Sequence, residues 1–380
     1  MPEPLTGLED VVITTSSICF IDGDKGILRY RGYDANELAE KSTYEETAYL
    51  LIYGQLPTAP QLTAFQAELR ANRAIPQDLI KILQAIPKTA DPMAWLRTAA
   101  SALATFDSES EDNSEPANMR KTVRLTAQLA TMAAVIERTR KQQPLVAPDA
   151  SLDHAANYLY MITGKKPDEL SRKAMDMALI LQADHELNAS TFAARVTTST
   201  LSDIYSAVTS AIGTLKGPLH GGANQRVMEM LEKIGTPEKA EPFLREQLAA
   251  KKKIMGFGHR VYSTFDPRAA VLKVKSKELS QKVGHAKWYE MSEIIEKIMI
   301  SEKKINPNLD FYSATVFRYL NIDTDLYPVI FAISRIVGWC THIMEQYKNN
   351  RLIRPLSQYT GPQGLKYEPL SGRSSTAAIR

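Results

Sequence analysis

The sequence predicts a nearly all-α protein opened by one short β-hairpin. After about residue 32 the apolar residues recur at three- and four-residue spacing in one segment after another. β-type alternation is confined to the first thirty-odd positions. Several helical segments, such as SAVTSAIGTL and PVIFAISRIVGWC, are apolar nearly all round. That pattern belongs to helices buried in a large globule, and no fixed-period self-similarity points to a repeat array.

VVITTSSICFIDGDKGILRYRGY alternates β-branched and polar residues around turns at Asp22-Gly23 and Lys25-Gly26, which reads as the hairpin. Helices follow in TYEETAYLLIYG, DPMAWLRTAASALATF, MRKTVRLTAQLATMAAVIERTRK, DELSRKAMDMALILQADHE, SDIYSAVTSAIGTL and PVIFAISRIVGWCTHIMEQYK. Asp91 before Pro92 and Ser202 before Asp203 are candidate caps. At the usual length of about 11–12 residues, roughly fifteen to twenty helices are expected. DSESEDNSEP (107–116) holds five acids and no base and reads as a solvated loop; KKK at 251–253 reads as a solvated helix end. The terminal SGRSSTAAIR reads as a flexible or docking tail.

The chain's 380 residues suit two or three domains, or one large and one small. With 44% apolar and 23% charged residues, the composition excludes a disordered chain, a collagen-like repeat and a disulfide-stapled module. A net charge of +3, from 46 basic and 43 acidic residues, argues against nucleic-acid binding. Cys19 and Cys340 sit in apolar sequence and read as reduced, packed thiols. No stretch approaches 18 uncharged apolar residues, and MPEPLTGLEDVV lacks a signal pattern, so no membrane association and a cytoplasmic location are expected.

None of the six histidines lies within 25 positions of another, and metal, Walker A, Rossmann and nucleophile-elbow motifs are absent. Each histidine alone reads as a satisfied core or capping residue. Two of them, His220 in KGPLHGGAN and His259 in MGFGHRVY, sit beside glycines that cost helix stability unless the backbone has a special role. His185 lies at the end of an apolar helix. Arg335 interrupts the apolar run FAISRIVGW, where a guanidinium needs an acidic partner or an anionic ligand. With Arg268 and Arg354, it suits a small polycarboxylate. Asp310 in NPNLDFYS reads most simply as a helix N-cap.

Taken together, IDGDKGILRYRGYDANELAEKSTYEETAYLLIYGQLPT, DHELNASTFAARV, GPLHGGANQRV, GFGHRVYSTFDPRA, NPNLDFYSATVF and FAISRIVGWCTHIMEQYKNNRLIRP resemble the citrate synthase family in order and spacing, over most of the chain. The resemblance implies three catalytic residues: His220 on the acetyl-CoA carbonyl, Asp310 as the base, and His259 on the oxaloacetate ketone. It implies His185, Asn188, His259, Arg268, Arg335 and Arg354 around oxaloacetate, the last contributed by a second subunit. It places coenzyme A against Lys253, Ile254, Met255, Gly256, Phe257, Gly258 and Asn224. Ser263 stands where relatives commonly carry a base that contacts coenzyme A phosphates; Arg260 or the 251–253 lysines could replace that contact.

The fold implied is a large helical domain (1–221 with 326–380) and a smaller one (222–325) around an interdomain active-site cleft. The implied partners are oxaloacetate, acetyl-CoA and a second copy of the chain, as a homodimer or a higher homo-oligomer. No metal or other cofactor is implied. A 2-methylcitrate synthase using propionyl-CoA shares the same motifs, because one methylene is worth only about 1–3 kcal/mol in a pocket. A non-catalytic helical scaffold is the alternative of another class; it would be marked by loss of Asp310, His220 or the arginines, and all are present.

Overall fold

The computed structural model describes residues 6–8 and 11–373; most of the terminal SGRSSTAAIR segment lies outside the described residues. The chain divides into two units, one of residues 16–352 and one of the two terminal segments. In the terminal unit the described backbone is largely irregular, with 3-10 turns at Thr6–Leu8 and Leu370–Gly372.

The larger unit begins with the expected hairpin. β1 (Cys19–Asp22) pairs antiparallel with β2 (Ile27–Tyr30), Cys19 opposite Tyr30. A third strand that sequence reading missed, β3 (Tyr33–Asp34), returns along β2. Two residues are too few to show alternation, and the turn into them uses positive φ at Arg31 and Gly32.

Sixteen α-helices follow among the described residues. They are α1 (Ala35–Lys41), α2 (Tyr44–Tyr53), α3 (Ala59–Ala71), α4 (Gln77–Ala85), α5 (Pro92–Leu103), α6 (Glu115–Arg140), α7 (His154–Thr163) and α8 (Glu169–Gln182). Then come α9 (Ala189–Ser199), α10 (Ile204–Leu215), α11 (Ala223–Ile234), α12 (Ala240–Ala249), α13 (Pro267–Lys282), α14 (Lys287–Ile298), α15 (Leu309–Tyr319) and α16 (Tyr327–Lys348).

Local chemistry sets many of their starts. Asp91 caps α5 through Ala94 N–H with Pro92 at the first helical position, as its sequence suggests. The cap of α10 is Asp203, accepting from Ser206 N–H at 2.9 Å, one residue beyond the expected Ser202. A carboxylate accepts more strongly than a hydroxyl, so Asp203 takes the position.

The core is centred on α6 and α16. From Leu129 to Thr139 every residue of α6 is buried, so its all-round apolar character is used within this one chain. α16 packs on α6, α8, α9 and α10. With the 3-10 turn before it, α16 is long and apolar enough to cross a bilayer, but its most apolar 18-residue window is wholly inside the protein. α11 to α15 pack mainly on one another, chiefly through α13 on α15 and α11 on α15. Cys19 and Cys340 are free thiols, and burial pushes Cys340 up to about 12.

The acidic 107–116 segment departs from the expected solvated loop. Asp107 accepts from Arg124 at 2.7 Å and from the Tyr205 hydroxyl, and Glu109 accepts from Arg120 and Arg124. Buried Lys121 donates to the carbonyls of Ser110 and Asp112, and Glu115 already belongs to α6. The bases that fold the segment back lie on α6, and the tyrosine on α10, outside any local charge count. The 251–253 lysines are exposed after the end of α12, as expected.

Candidate active site

The helix expected to run through His185 stops at Gln182. That early end frees Asp184, His185 and Glu186 as a loop with Glu186 at positive φ. His185 is buried, its Nε2 lies 3.2 Å from the Tyr262 hydroxyl, and its ring centroid lies 5.2 Å from that of His259. Burial holds His185 well below the usual histidine pKa, with Arg268, His259 and Arg335 adding to the effect, so the ring is neutral.

His259 sits on an irregular loop after Gly258. Its Nδ1 accepts from Val261 N–H at 3.0 Å and Tyr262 N–H at 3.3 Å. Two backbone donors on Nδ1 leave the proton of the neutral ring on Nε2. Burial, then Arg268, lowers its pKa to about 4.

His220 is held in the opposite tautomer. Ser190 N–H donates to His220 Nε2 at 3.3 Å, which leaves the ring proton on Nδ1. Ser190 Oγ accepts from Trp339 Nε1 at 3.1 Å and lies 2.9 Å from the same His220 nitrogen. Burial, then Arg335, brings His220 to about 4. The glycine turn has a specific cause. Gly221 N–H donates to Leu215 O at 3.0 Å, and a Cβ at Gly221 would collide with that residue's carbonyl and side chain. Arg226 closes the turn by donating from Nε to Gly222 O at 3.1 Å and from a terminal nitrogen to Pro218 O.

Asp310 is not the cap of its helix. Asn308 caps α15, accepting from Asp310 N–H at 3.0 Å, while Asn308 N–H and Nδ2 donate to the carbonyls of Gly256 and Gly258. The Asp310 carboxylate is thereby released from capping, and no hydrogen bond to it occurs among the described residues. Burial raises its pKa to about 6 despite the opposing charges of Arg268, Arg335 and Arg226.

The two buried arginines differ. Arg268 is locked to Asp266 by two bonds of 2.9 Å, and Asp266 also accepts from Leu309 N–H at the start of α15. The same carboxylate therefore orients one guanidinium and the helix that carries Asp310. Arg335 is 1% exposed and forms no salt bridge among the described residues; its Nε donates to Gln182 O at 2.6 Å, and the guanidinium lies over the Phe331 ring. Such a buried cation is suited to an anionic ligand.

The loop thus brings His185, His259, Tyr262 and Arg268 into one cluster, with Arg335 and Arg268 both acting on Asp310. Asn188 is occupied as the cap of α9, accepting from Thr191 N–H and from Ser190 Oγ, and so stands one bond from the partner of His220. Arg354 is exposed and belongs to the terminal unit.

Among the residues assigned to coenzyme A, Ile254, Gly256 and Phe257 are buried, Phe257 against Phe311, so their side chains face protein. Lys253 and Gly258 are exposed and Met255 is half-buried. Asn224 is fully buried, its Oδ1 on Gln225 N–H and its Nδ2 without a partner among the described residues. The Ser263 hydroxyl donates to Asp24 at 2.7 Å, tying the His259 loop to the hairpin turn.

Sequence reading missed Tyr262, Asp266, Ser190 and Asn308. All four lie within two residues of a named position, inside the quoted motifs; what no motif reveals is their bonding partners, such as His220 for Ser190 and the Gly256 and Gly258 carbonyls for Asn308.

A family model described as "Citrate synthase, C-terminal domain" matches residues 7–356. The chain belongs to the citrate synthase family. It is 50% identical over 369 residues to citrate synthase 2 of Bacillus subtilis, covering 97% of this chain and 99% of that relative. It is 48% identical to the citrate synthase of Deinococcus radiodurans, over 97% and 98% of the two chains. Its fold matches a solved structure of the Thermoplasma acidophilum citrate synthase in ternary complex with carboxymethyl coenzyme A and oxaloacetate. The TM-score is 0.93 at 35% identity, over 98% of this chain and all of that one. The chain is an acyltransferase of the citrate synthase class, all-α apart from its small sheet. Among the described residues no group of three or more histidine, cysteine or acidic side chains is placed to hold a metal ion.

Proposed function

We propose that this site condenses acetyl-CoA with oxaloacetate and then hydrolyses citryl-CoA to citrate and CoA, a tricarboxylic acid cycle reaction. The observation that carries the residue roles is the opposed tautomers of the two histidines. His220 presents Nδ1–H to the thioester carbonyl, and His259 presents Nε2–H to the ketone of oxaloacetate. Asp310 removes a methyl proton of acetyl-CoA. A carboxylate is a weak base for so weak an acid, so the hydrogen bond from His220 must stabilise the enolate as it forms. The enolate carbon bonds to the keto carbon, the alkoxide takes the Nε2 proton of His259, and the methyl proton held by Asp310 is returned through solvent, which restores both residues. Water then attacks the thioester, releasing CoA as its thiol and leaving the new carboxyl group.

Arg268, Arg335 and His185 bind the oxaloacetate carboxylates, with Arg354 supplied by the second subunit of a homodimer. The 222–325 segment closes over bound oxaloacetate, keeping water out until condensation is complete. That segment's helices packing mainly on one another supports this reading. Asn224 supports a coenzyme A role through its unpartnered buried amide, and the 253–258 backbone cradles the adenine. A reaction carried wholly by these side chains requires no cofactor, and a cytoplasmic location fits its metabolic substrates.

The test is CoA release with oxaloacetate plus either acetyl-CoA or propionyl-CoA, compared as kcat/KM. Preference for acetyl-CoA is expected. Preference for propionyl-CoA assigns the chain to 2-methylcitrate synthesis, and release from neither returns it to a non-catalytic scaffold.

A further inference from the structure

Behind the histidine cluster lies a second set of buried charges that the chemistry above does not use. Asp184 and His342 are completely buried and Arg195 is 2% exposed. Arg195 Nη1 donates to His342 Nδ1 at 2.9 Å. A guanidinium does not give up its proton, so this nitrogen of His342 must accept. The proton of the neutral ring is then on Nε2, which lies 3.3 Å from Asp184 Oδ1 and 3.4 Å from Oδ2. Arg195 is itself anchored to Glu345 at 2.8 Å and to Gln346 at 3.1 Å. The chain of donors runs one way, from Arg195 through His342 to Asp184.

Each member belongs to a segment that carries part of the site. Asp184 immediately precedes His185 and accepts from Glu186 N–H at 3.2 Å, closing the loop around the histidine. His342 lies two helical turns after Arg335 on α16. Arg195 lies on α9, whose second residue, Ser190, holds His220. α16 comes unusually close to the Asp184 loop. A Cβ at Gly338 would collide with Ala183 O and the Asp184 carboxylate, so only glycine permits the approach. Burial lowers the pKa of Arg335, and the charge of Asp184 is the main influence opposing that loss.

We propose that Asp184 is a positioning residue for the dicarboxylate half of the site, oriented by the Arg195–His342 chain, setting the placement of His185 and supplying negative charge toward Arg335. The proposal rests on the assignment of those two residues to oxaloacetate. Asp184 acts on the substrate only through them. A neutral side chain could satisfy Glu186 N–H equally well, but only a carboxylate supplies the negative charge that partly offsets the burial of Arg335 before substrate arrives.

The experiment compares the full-length wild type with Asp184→Asn, His342→Leu and His342→Gln. It measures KM for each substrate and the oxaloacetate-induced rise in Tm. Losing a charge-assisted hydrogen bond should raise the oxaloacetate KM about tenfold or more in Asp184→Asn and His342→Leu. The acetyl-CoA KM should stay within about threefold, on the same free-energy scale. His342→Gln can accept from Arg195 through Oε1 and donate to Asp184 through Nε2, and should recover most of the loss.

An oxaloacetate KM unchanged in folded Asp184→Asn overturns the proposal. So does an equal rise in both KM values that glutamine does not relieve, which marks a merely structural role. Should His342→Leu fail to fold, the near-isosteric Asp184→Asn decides by the same ratio. If the wild type releases CoA from neither thioester, the reaction assignment fails separately. The Tm shift with oxaloacetate alone then decides, an unchanged shift in Asp184→Asn overturning the proposal and a lost one supporting it.

Discussion

Ser190 gives its backbone N–H to His220 Nε2 at 3.3 Å, and that bond decides which nitrogen of His220 carries the ring proton. His259 is set the other way, by two backbone N–H groups on Nδ1. With both pKa values brought to about 4, the rings remain neutral single-proton donors across the physiological range. Catalysis through them should therefore be insensitive to their own titration above about pH 5, which leaves Asp310 as the group that shapes the acid limb.

Asp310, raised to about 6 by burial, must be ionised to act as a base. kcat/KM for acetyl-CoA should accordingly fall as pH drops through about 6, with one proton taken up. Asp310→Asn should remove that limb and lower turnover by about 10²–10⁴-fold, while leaving the oxaloacetate-induced Tm shift in place. Near-normal turnover in this variant would exclude Asp310 from the mechanism.

Arg335 has no carboxylate partner at salt-bridge distance among the described residues. Oxaloacetate should raise the Tm by mass action, and Arg335→Leu should lose most of that rise. The ligand-free variant should be as stable as the parent or more so, because a buried cation is removed. Thermal melts with and without oxaloacetate check both statements; an undiminished shift in the variant contradicts the first.

Arg354 tests the proposal that two subunits share each site. Asp310→Ala and Arg354→Ala homodimers should each be inactive. A mixed dimer gathers both defects in one site and leaves the other intact, so co-expressed chains should recover up to about half of wild-type activity per dimer, the ratio expected for independent isologous sites. Verified mixed dimers without activity would show that Arg354 serves its own subunit or that the sites cannot work alone. A fully active monomer at assay concentration would be equally decisive against sharing.

Asp176 gives a stability prediction away from the chemistry. Burial raises its carboxyl to about 8, with Glu45 adding to the rise and the bond from Tyr44 N–H opposing it. An acid whose folded pKa exceeds its unfolded value of about 3.9 binds its proton more tightly in the native state. Its stabilising contribution is therefore full below about pH 4 and is lost as pH rises toward 8. Asp176→Asn, which can still accept from Tyr44, should raise the Tm at pH 8 relative to the parent and change it little at pH 5. Parallel melting curves across that range would refute the assignment.

Much of this protein was legible before any fold was seen. Helical periodicity is local, so the hairpin and the major helices could be read from spacing, with boundaries shifted where caps competed, as at Ser202 and Asp203. The glycines beside His220 and His259 signalled unusual backbone, and Arg335 in an apolar run signalled a charge without water. The acidic 107–116 segment misled because its partners, Arg124 and Tyr205, lie on helices remote from any local reading.

The sequence by itself determined the helical class, the family and the residue types available for chemistry, because each is written in spacing and motif. The tertiary structure alone decided which ring nitrogen of each histidine carries the proton, that Asn308 and not Asp310 caps α15, and that Asp184, His342 and Arg195 form one buried chain. Those outcomes depend on backbone N–H groups and side chains brought within about 3 Å by packing, and hydrogen bonds weaken too steeply with distance and angle to be read from order along the chain.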